Sequence, residues 1–229
     1  MTTRGPQARS AIVALIGLCA LFAATGCSVE PPEVMALGAR LVVHATGPDG
    51  GTDERLSVFA SVSDGDGVDD IEYLFIVHDA SELCWTLTAD EWQRNDEGSA
   101  VWIGSNGLDA PGATVPRGEY RAVIVDRAGE RSDRRFSLSA PETSAYDVPS
   151  VRLSGTSAVI GSAYPSNTAF FLDAGGNVVM TVPVSRGTVA LDSLWANGLW
   201  RSGADYLAVY GFDPKAETGF FSWKIRLPD

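Results

Sequence analysis

An all-β fold, arranged as two tandem β-sandwiches, is what the sequence predicts for the 203 residues that follow position 26 of this 229-residue chain. Three observations predict it. Short runs rich in valine, isoleucine, threonine and aromatic residues recur, each bounded by glycine, aspartate or proline, as strands and their turns are. Within them apolar residues alternate, as at Ile71, Tyr73, Phe75 and Val77, and a period of two puts every second side chain on one face of a sheet. The strongest break, residues 139–150 with Pro141 and Pro149, leaves roughly 80–110 residues on either side, the size of one sandwich. A hydrophobic content of 45% suits a packed globular chain.

Residues 36–140 form the first expected sandwich, with strands at 40–46, 56–63, 71–78, 83–88, 100–103, 120–126 and 135–139. Residues 88–94 read as its one helix: Thr88 is an N-cap type, and Glu91 three residues on completes a capping box. Residues 141–149, rich in proline and small polar side chains, are the expected linker. Residues 150–229 supply the second sandwich, with strands at 150–153, 158–163, 169–173, 178–184, 188–191, 206–212 and 220–227. Ala174-Gly175-Gly176-Asn177 reads as a hairpin turn between two of them.

Gly118-Glu119-Tyr120 opens one strand and Gly203-Ala204-Asp205-Tyr206 another, and in each an aspartate (Asp126, Asp213) and a last strand follow. Together with Pro116, the first copy resembles the tyrosine corner of immunoglobulin-like and fibronectin-type sandwiches. Val123 to Gly129 is similar to the last hairpin of bacterial extracellular immunoglobulin-like domains. The resemblance implies two immunoglobulin-like sandwiches, with the Tyr120 hydroxyl bonded back to the backbone. One larger mixed β-domain is the alternative that the residues leave open.

Residues 1–26 read as a signal peptide. Arg4 and Arg9 precede a 14-residue uncharged apolar run, 11–24, too short to span a ~30 Å hydrocarbon core as a helix. Ala24-Thr25-Gly26-Cys27 then resembles the lipobox of bacterial lipoproteins. That resemblance implies cleavage before Cys27, a diacylglycerol thioether on its sulfur, and a membrane as partner. Residues 27–35 become a lipidated, proline-stiffened tether. Ser28 is not an acidic retention residue, so the expected place is the cell envelope, at the outer membrane or cell surface rather than the inner membrane.

Charge excludes one partner class. With Arg4 and Arg9 removed, 15 basic residues face 29 acidic ones, whereas a nucleic-acid binder needs a basic footprint. Eleven of the acids lie within residues 64–97, which hold a single base, Arg94. Six arginines follow between positions 117 and 135, so ion pairs across neighbouring strands are expected, for example from Glu72.

The densest acidic stretch places Asp64, Asp66, Asp69 and Asp70 in a glycine-turned loop, the hard-oxygen composition that Ca²⁺ takes. It resembles the calcium loops of thrombospondin-type and dockerin-like proteins. The helix-loop-helix register fails, because position 1 falls on Val62 and position 12 on Tyr73, so no bidentate glutamate closes the loop. The loop is therefore either a calcium site short of ligands or a plain turn into Ile71. Trp195 and Trp200, with Arg201 beside them, are the ligand-binding candidates: they stack on sugar rings or plug the end of a sandwich. No G-x-S-x-G, H-E-x-x-H or C-x-x-C occurs, so no catalytic residue is assigned, and Cys84 between Leu83 and Trp85 reads as an inert thiol. The expected role is non-catalytic binding or scaffolding at the membrane, for an unidentified protein or glycan ligand. A carbohydrate-binding module using Trp195 and Trp200 is the alternative, and a hydrolase using an unidentified carboxylate pair comes third. Ca²⁺ is the one candidate cofactor.

Overall fold

In the computed structural model of the protein, residues 30–48, 50–195 and 198–228 are described. Their β-branched and aromatic runs form β1 (Glu33–Ala45), β2 (Thr52–Ser63), β3 (Ile71–His78), β4 (Leu83–Leu87), β5 (Gln93–Glu97), β6 (Ala100–Asp109), β7 (Gly118–Asp126) and β8 (Arg131–Leu138). The second half adds β9 (Ser150–Ser154), β10 (Ser157–Gly161), β11 (Ser166–Leu172), β12 (Val178–Val184), β13 (Gly187–Ala190), β14 (Tyr206–Asp213), β15 (Thr218–Phe221) and β16 (Ile225–Arg226). The fold class is all-β, as the sequence predicts. A one-turn helix, Leu191–Trp195, interrupts it.

One nine-stranded sheet runs in the order β12-β11-β14-β15-β1-β2-β6-β5, with β16 also on β14. Two smaller sheets, β4-β3-β7-β8 and β13-β10-β9, complete the fold. Alternation decides which face each strand buries. Leu41, Val43, Leu56 and Val58 of the long sheet meet Leu74, Ile76, Ala122 and Ile124 in one core. Phe171, Leu207 and Val209 meet Ala158, Ile160 and Trp195 in a second. The two cores share a sheet because β1 pairs in parallel with β15, from Leu41↔Thr218 to His44↔Phe221. Residues 31–229 accordingly form one compact unit.

Tyr120 donates its hydroxyl hydrogen to the Pro116 carbonyl at 2.6 Å, the bond that a tyrosine corner implies. Burial pushes its phenol up to about 12, against a smaller downward pull from Arg117.

Three sequence expectations differ. The tether ends early, since Glu33 and Val34 already pair with Ser63 and Val62 in β1 and β2. Residues 88–94 make only one turn. Half of the capping box forms: the Thr88 amide and hydroxyl both donate to Glu91 Oε2 at 3.0 Å, but the Glu91 amide donates to the Thr88 carbonyl at 2.9 Å rather than to its hydroxyl. Gln93–Glu97, polar and exposed, is then drawn into β5 by its ladder with β6, which overrides local helix preference.

The expected linker is a clamp. Arg117 grips Glu54 through two bonds, of 2.7 and 2.9 Å, and donates to the carbonyls of Ala140 and Pro141 at 2.8 and 3.0 Å. Thr143 also donates to Glu54 Oε1, at 2.6 Å, and the Val115 amide to Oε2 at 2.9 Å. Glu54 is only 4% exposed. Burial alone would raise its pKa, but the bonds from Arg117, Thr143 and Val115 win and hold it below the ordinary value. Further along, Tyr146 stacks on Phe220, and Tyr164 donates to the Asp147 carbonyl at 2.6 Å.

Candidate ligand-binding cleft

Strand alternation that sends one set of side chains into the cores sends the other to the opposite face of the long sheet. There a cleft of about 880 Å³ opens across both halves. Its floor is aromatic. His44 of β1 stacks on Phe221 of β15, centroids 4.9 Å apart and planes 13° apart. Phe170 of β11 meets Phe221 edge-on at 5.0 Å, and Tyr210 of β14 lies 4.8 Å from the same ring. Gly219 makes room for Tyr210: a Cβ there would run into the tyrosine ring. Trp223, 41% exposed, stands in the cleft wall.

Polar groups ring this floor. Ser57 donates to Asn106 Oδ1 at 2.7 Å, and Asn106 donates in turn to Gln93 Oε1 at 2.9 Å. Arg55 donates to Asp53 Oδ2 at 3.2 and 3.3 Å, leaving Asp53 Oδ1 buried without a partner. Burial, then the charge of Arg55, pushes His44 down to about 4 against the pull of Asp53, so its ring is neutral at neutral pH. Arg40 and Lys224 complete the charged lining, so three cations face one carboxylate. The cleft can stack on planar or ring surfaces, and its charged rim is cationic.

The sequence candidates fall elsewhere. Trp195 is 5% exposed and packs on Phe171 at 5.0 Å, while its ring is covered by the Arg201 guanidinium at 5.0 Å. Trp200 is half-buried, 4.7 Å from Phe171 and 5.4 Å from Trp195. Both tryptophans pack into the second core, and Trp195 with Arg201 also lines a separate cavity of about 440 Å³. Cys84 is exposed, not held in an apolar setting, because β4 turns it outward between Leu83 and Trp85. Cys27 lies outside the described residues. No described helix is long and apolar enough to cross a membrane.

The aspartate loop divides. Asp66 is exposed, and its amide donates to Asp64 Oδ1 at 2.9 Å. Asp69 pairs with Arg94 at 2.6 Å. Asp64 and Asp70 instead converge with a third carboxylate, Asp126 at the end of β7. Glu72 has no ion pair among the described residues; Arg121 of β7 instead holds Asp79, in the turn after β3, at 2.7 and 2.8 Å.

No protein-family model and no curated protein matches the chain. Among solved structures it is similar to Tp47, the 47-kilodalton lipoprotein of Treponema pallidum, at 14% identity and a TM-score of 0.39, over 89% of this chain and 51% of that one. It is also similar to the BSP domain of a biofilm-associated protein, at 14% identity and a TM-score of 0.27, over 84% and 30% of the two chains. The dimeric latent PorU of Porphyromonas gingivalis gives 17% identity and a TM-score of 0.33, over 86% and 20%. The chain therefore spans about half or less of each.

Proposed function

We propose that the protein is a non-catalytic binding lipoprotein of the cell envelope, anchored through acyl chains on Cys27, whose ligand lies along the open face of the nine-stranded sheet. The observation that carries this reading is the cleft itself, with its aromatic floor and cationic rim. The two halves are read as immunoglobulin-like sandwiches fused through β1 and β15, which brings residues from both into one binding face. The anchor places that face at the outer membrane or cell surface.

A glycan is the ligand class that suits the lining. The rings of Phe170, Tyr210, Phe221 and Trp223 can stack on sugar faces, and the excess of cations favours acidic sugars. This relocates the carbohydrate reading from Trp195 and Trp200 to the sheet.

Two measurements test the proposal. Cys27→Ala should abolish metabolic acyl labelling and release the protein from membranes; unchanged labelling overturns the anchor. Tryptophan fluorescence of the full-length chain in detergent, titrated with neutral and acidic oligosaccharides, should show saturable binding. Trp223→Ala should weaken it about tenfold, the equivalent of roughly 1.4 kcal/mol, while Trp200→Ala leaves it intact. The reverse pattern, or no binding by any sugar, overturns the cleft as a glycan site.

A further inference from the structure

Asp64 ends the chain's run out of β2, Asp70 closes the turn Val68–Asp70 before β3, and Asp126 is the last residue of β7. Each offers one carboxylate oxygen, and the three oxygens lie within 4.8 Å of one another. The sequence gives no hint of this meeting, since Asp126 stands 56 positions from Asp70. The fold makes it. β3 pairs antiparallel with β7, starting at Ile71↔Asp126, and the Arg127 amide donates to the Asp70 carbonyl at 3.0 Å.

The hydrogen bonding of the cluster is half complete. Asp126 is 1% exposed, and its Oδ1 accepts from the Glu130 amide at 2.8 Å. Its Oδ2 is buried and has no partner, and the same holds for Asp64 Oδ2, whose Oδ1 is taken by the Asp66 amide. The nearest countercharge, Arg127, stands 3.7 Å from Asp70 Oδ1 with most of its side chain in solvent. Three carboxylates thus converge with two buried oxygens unmet, although an unpaired buried charge is among the most costly features a fold can hold.

We propose that Asp64, Asp70 and Asp126 bind a single Ca²⁺ that staples the loop before β3 to the turn after β7. The donor set is all oxygen, which suits a hard cation better than zinc, whose sites take most of their ligands from histidine nitrogen and cysteine sulfur. Oxygens bound to one Ca²⁺ at about 2.3–2.6 Å can be at most ~5 Å apart, so the 4.8 Å cluster fits around a single ion. Mg²⁺ demands near-ideal octahedral geometry at about 2.0–2.1 Å and gives up its waters reluctantly, so a loop-borne carboxylate set favours the larger ion. Asp126 is the ligand missing when the aspartate loop is considered alone. Asp66 and Asp69, engaged in a turn and in an ion pair, stand outside the set. With three carboxylates the affinity should fall on the order of 10⁻⁴–10⁻³ M, as in other extracellular modules.

The test uses the full-length chain in detergent, stripped with a chelator and titrated with CaCl₂ under thermal denaturation and calorimetry. A saturable rise in Tm with one ion per chain is expected, and MgCl₂ at equal concentration should give a clearly smaller rise. Asp126→Asn keeps the acceptor for the Glu130 amide and removes only the charge. Its calcium-free Tm should equal or exceed that of the wild type, with calcium affinity reduced at least about tenfold. Asp70→Asn, at the more open side of the cluster, should lose the response likewise and serves if Asp126→Asn does not fold. A flat wild-type titration up to about 10 mM, well above the expected range, overturns the proposal. So does an equal response in both variants, which would mark calcium acting on the acidic surface at large.

Discussion

His44 is the cleft residue whose charge the fold controls. Its ring is sandwiched against Phe221 and desolvated, and with Arg55 nearby its pKa sits at about 4 rather than 6.5. The folded state therefore keeps it neutral while the unfolded chain takes up a proton below pH 6.5. Stability linked to His44 is whole above that pH and is lost progressively as pH falls to about 4, by at most about 3 kcal/mol. Glu54 responds at lower pH: its depressed pKa contributes stability above the ordinary carboxylate range, and this fades as pH falls through the folded value. The two are separable by mutation. His44→Gln should lose less stability than the wild type between pH 7 and pH 5 in urea denaturation, and equal losses would show that His44 is not the acid-sensitive group.

Whole strands were legible where alternation met a glycine or aspartate turn, and β3 and β12 match their expected limits. β5 was not legible, because Gln93–Glu97 carries no apolar alternation and owes its strand to β6. The 140–149 clamp was hidden for the opposite reason. Its composition is that of a loop, but Arg117 and Glu54, distant in sequence, tie its carbonyls and Thr143 down. Another feature at this scale is the close approach of β2 and β6, where the register shifts between Leu56 and Val58. A Cβ on Gly104 would run into the Val58 carbonyl and lie 2.7 Å from Phe59 Cα, both backbone, whereas one on Gly107 meets nothing within 4 Å. Gly104→Ala should therefore cost roughly 1–3 kcal/mol, and Gly107→Ala should change stability little. Similar midpoints of urea unfolding for the two variants would show that the β2–β6 contact yields easily.

At the scale of the molecule, two cores could be read from the sequence but the sheet that joins them could not. The β1–β15 pairing links Leu41 to Thr218, and nothing local at either residue encodes a parallel partner so far along the chain. The same pairing decides what the cleft is made of, since its floor takes His44 from one half and Phe170, Tyr210 and Phe221 from the other. Trp195 and Trp200, the aromatic pair legible within one half, pack into the second core. The shared sheet also has a thermodynamic consequence. Phe220 of β15 lies fully buried in the first core, stacked by Tyr164 and Tyr146, so unfolding the second half strips a large aromatic and a strand partner from the first. Burying one such ring contributes roughly 1.5–3 kcal/mol, and the lost edge of β1 adds to that. Halves coupled this strongly should melt together. Differential scanning calorimetry of the full-length chain should give one transition whose calorimetric and van't Hoff enthalpies agree. Phe220→Ala should weaken the coupling and broaden or split that transition. Two resolved transitions in the wild type would mean that β1 and β15 part easily, and a cleft built across them would then open and close with the second half's own stability.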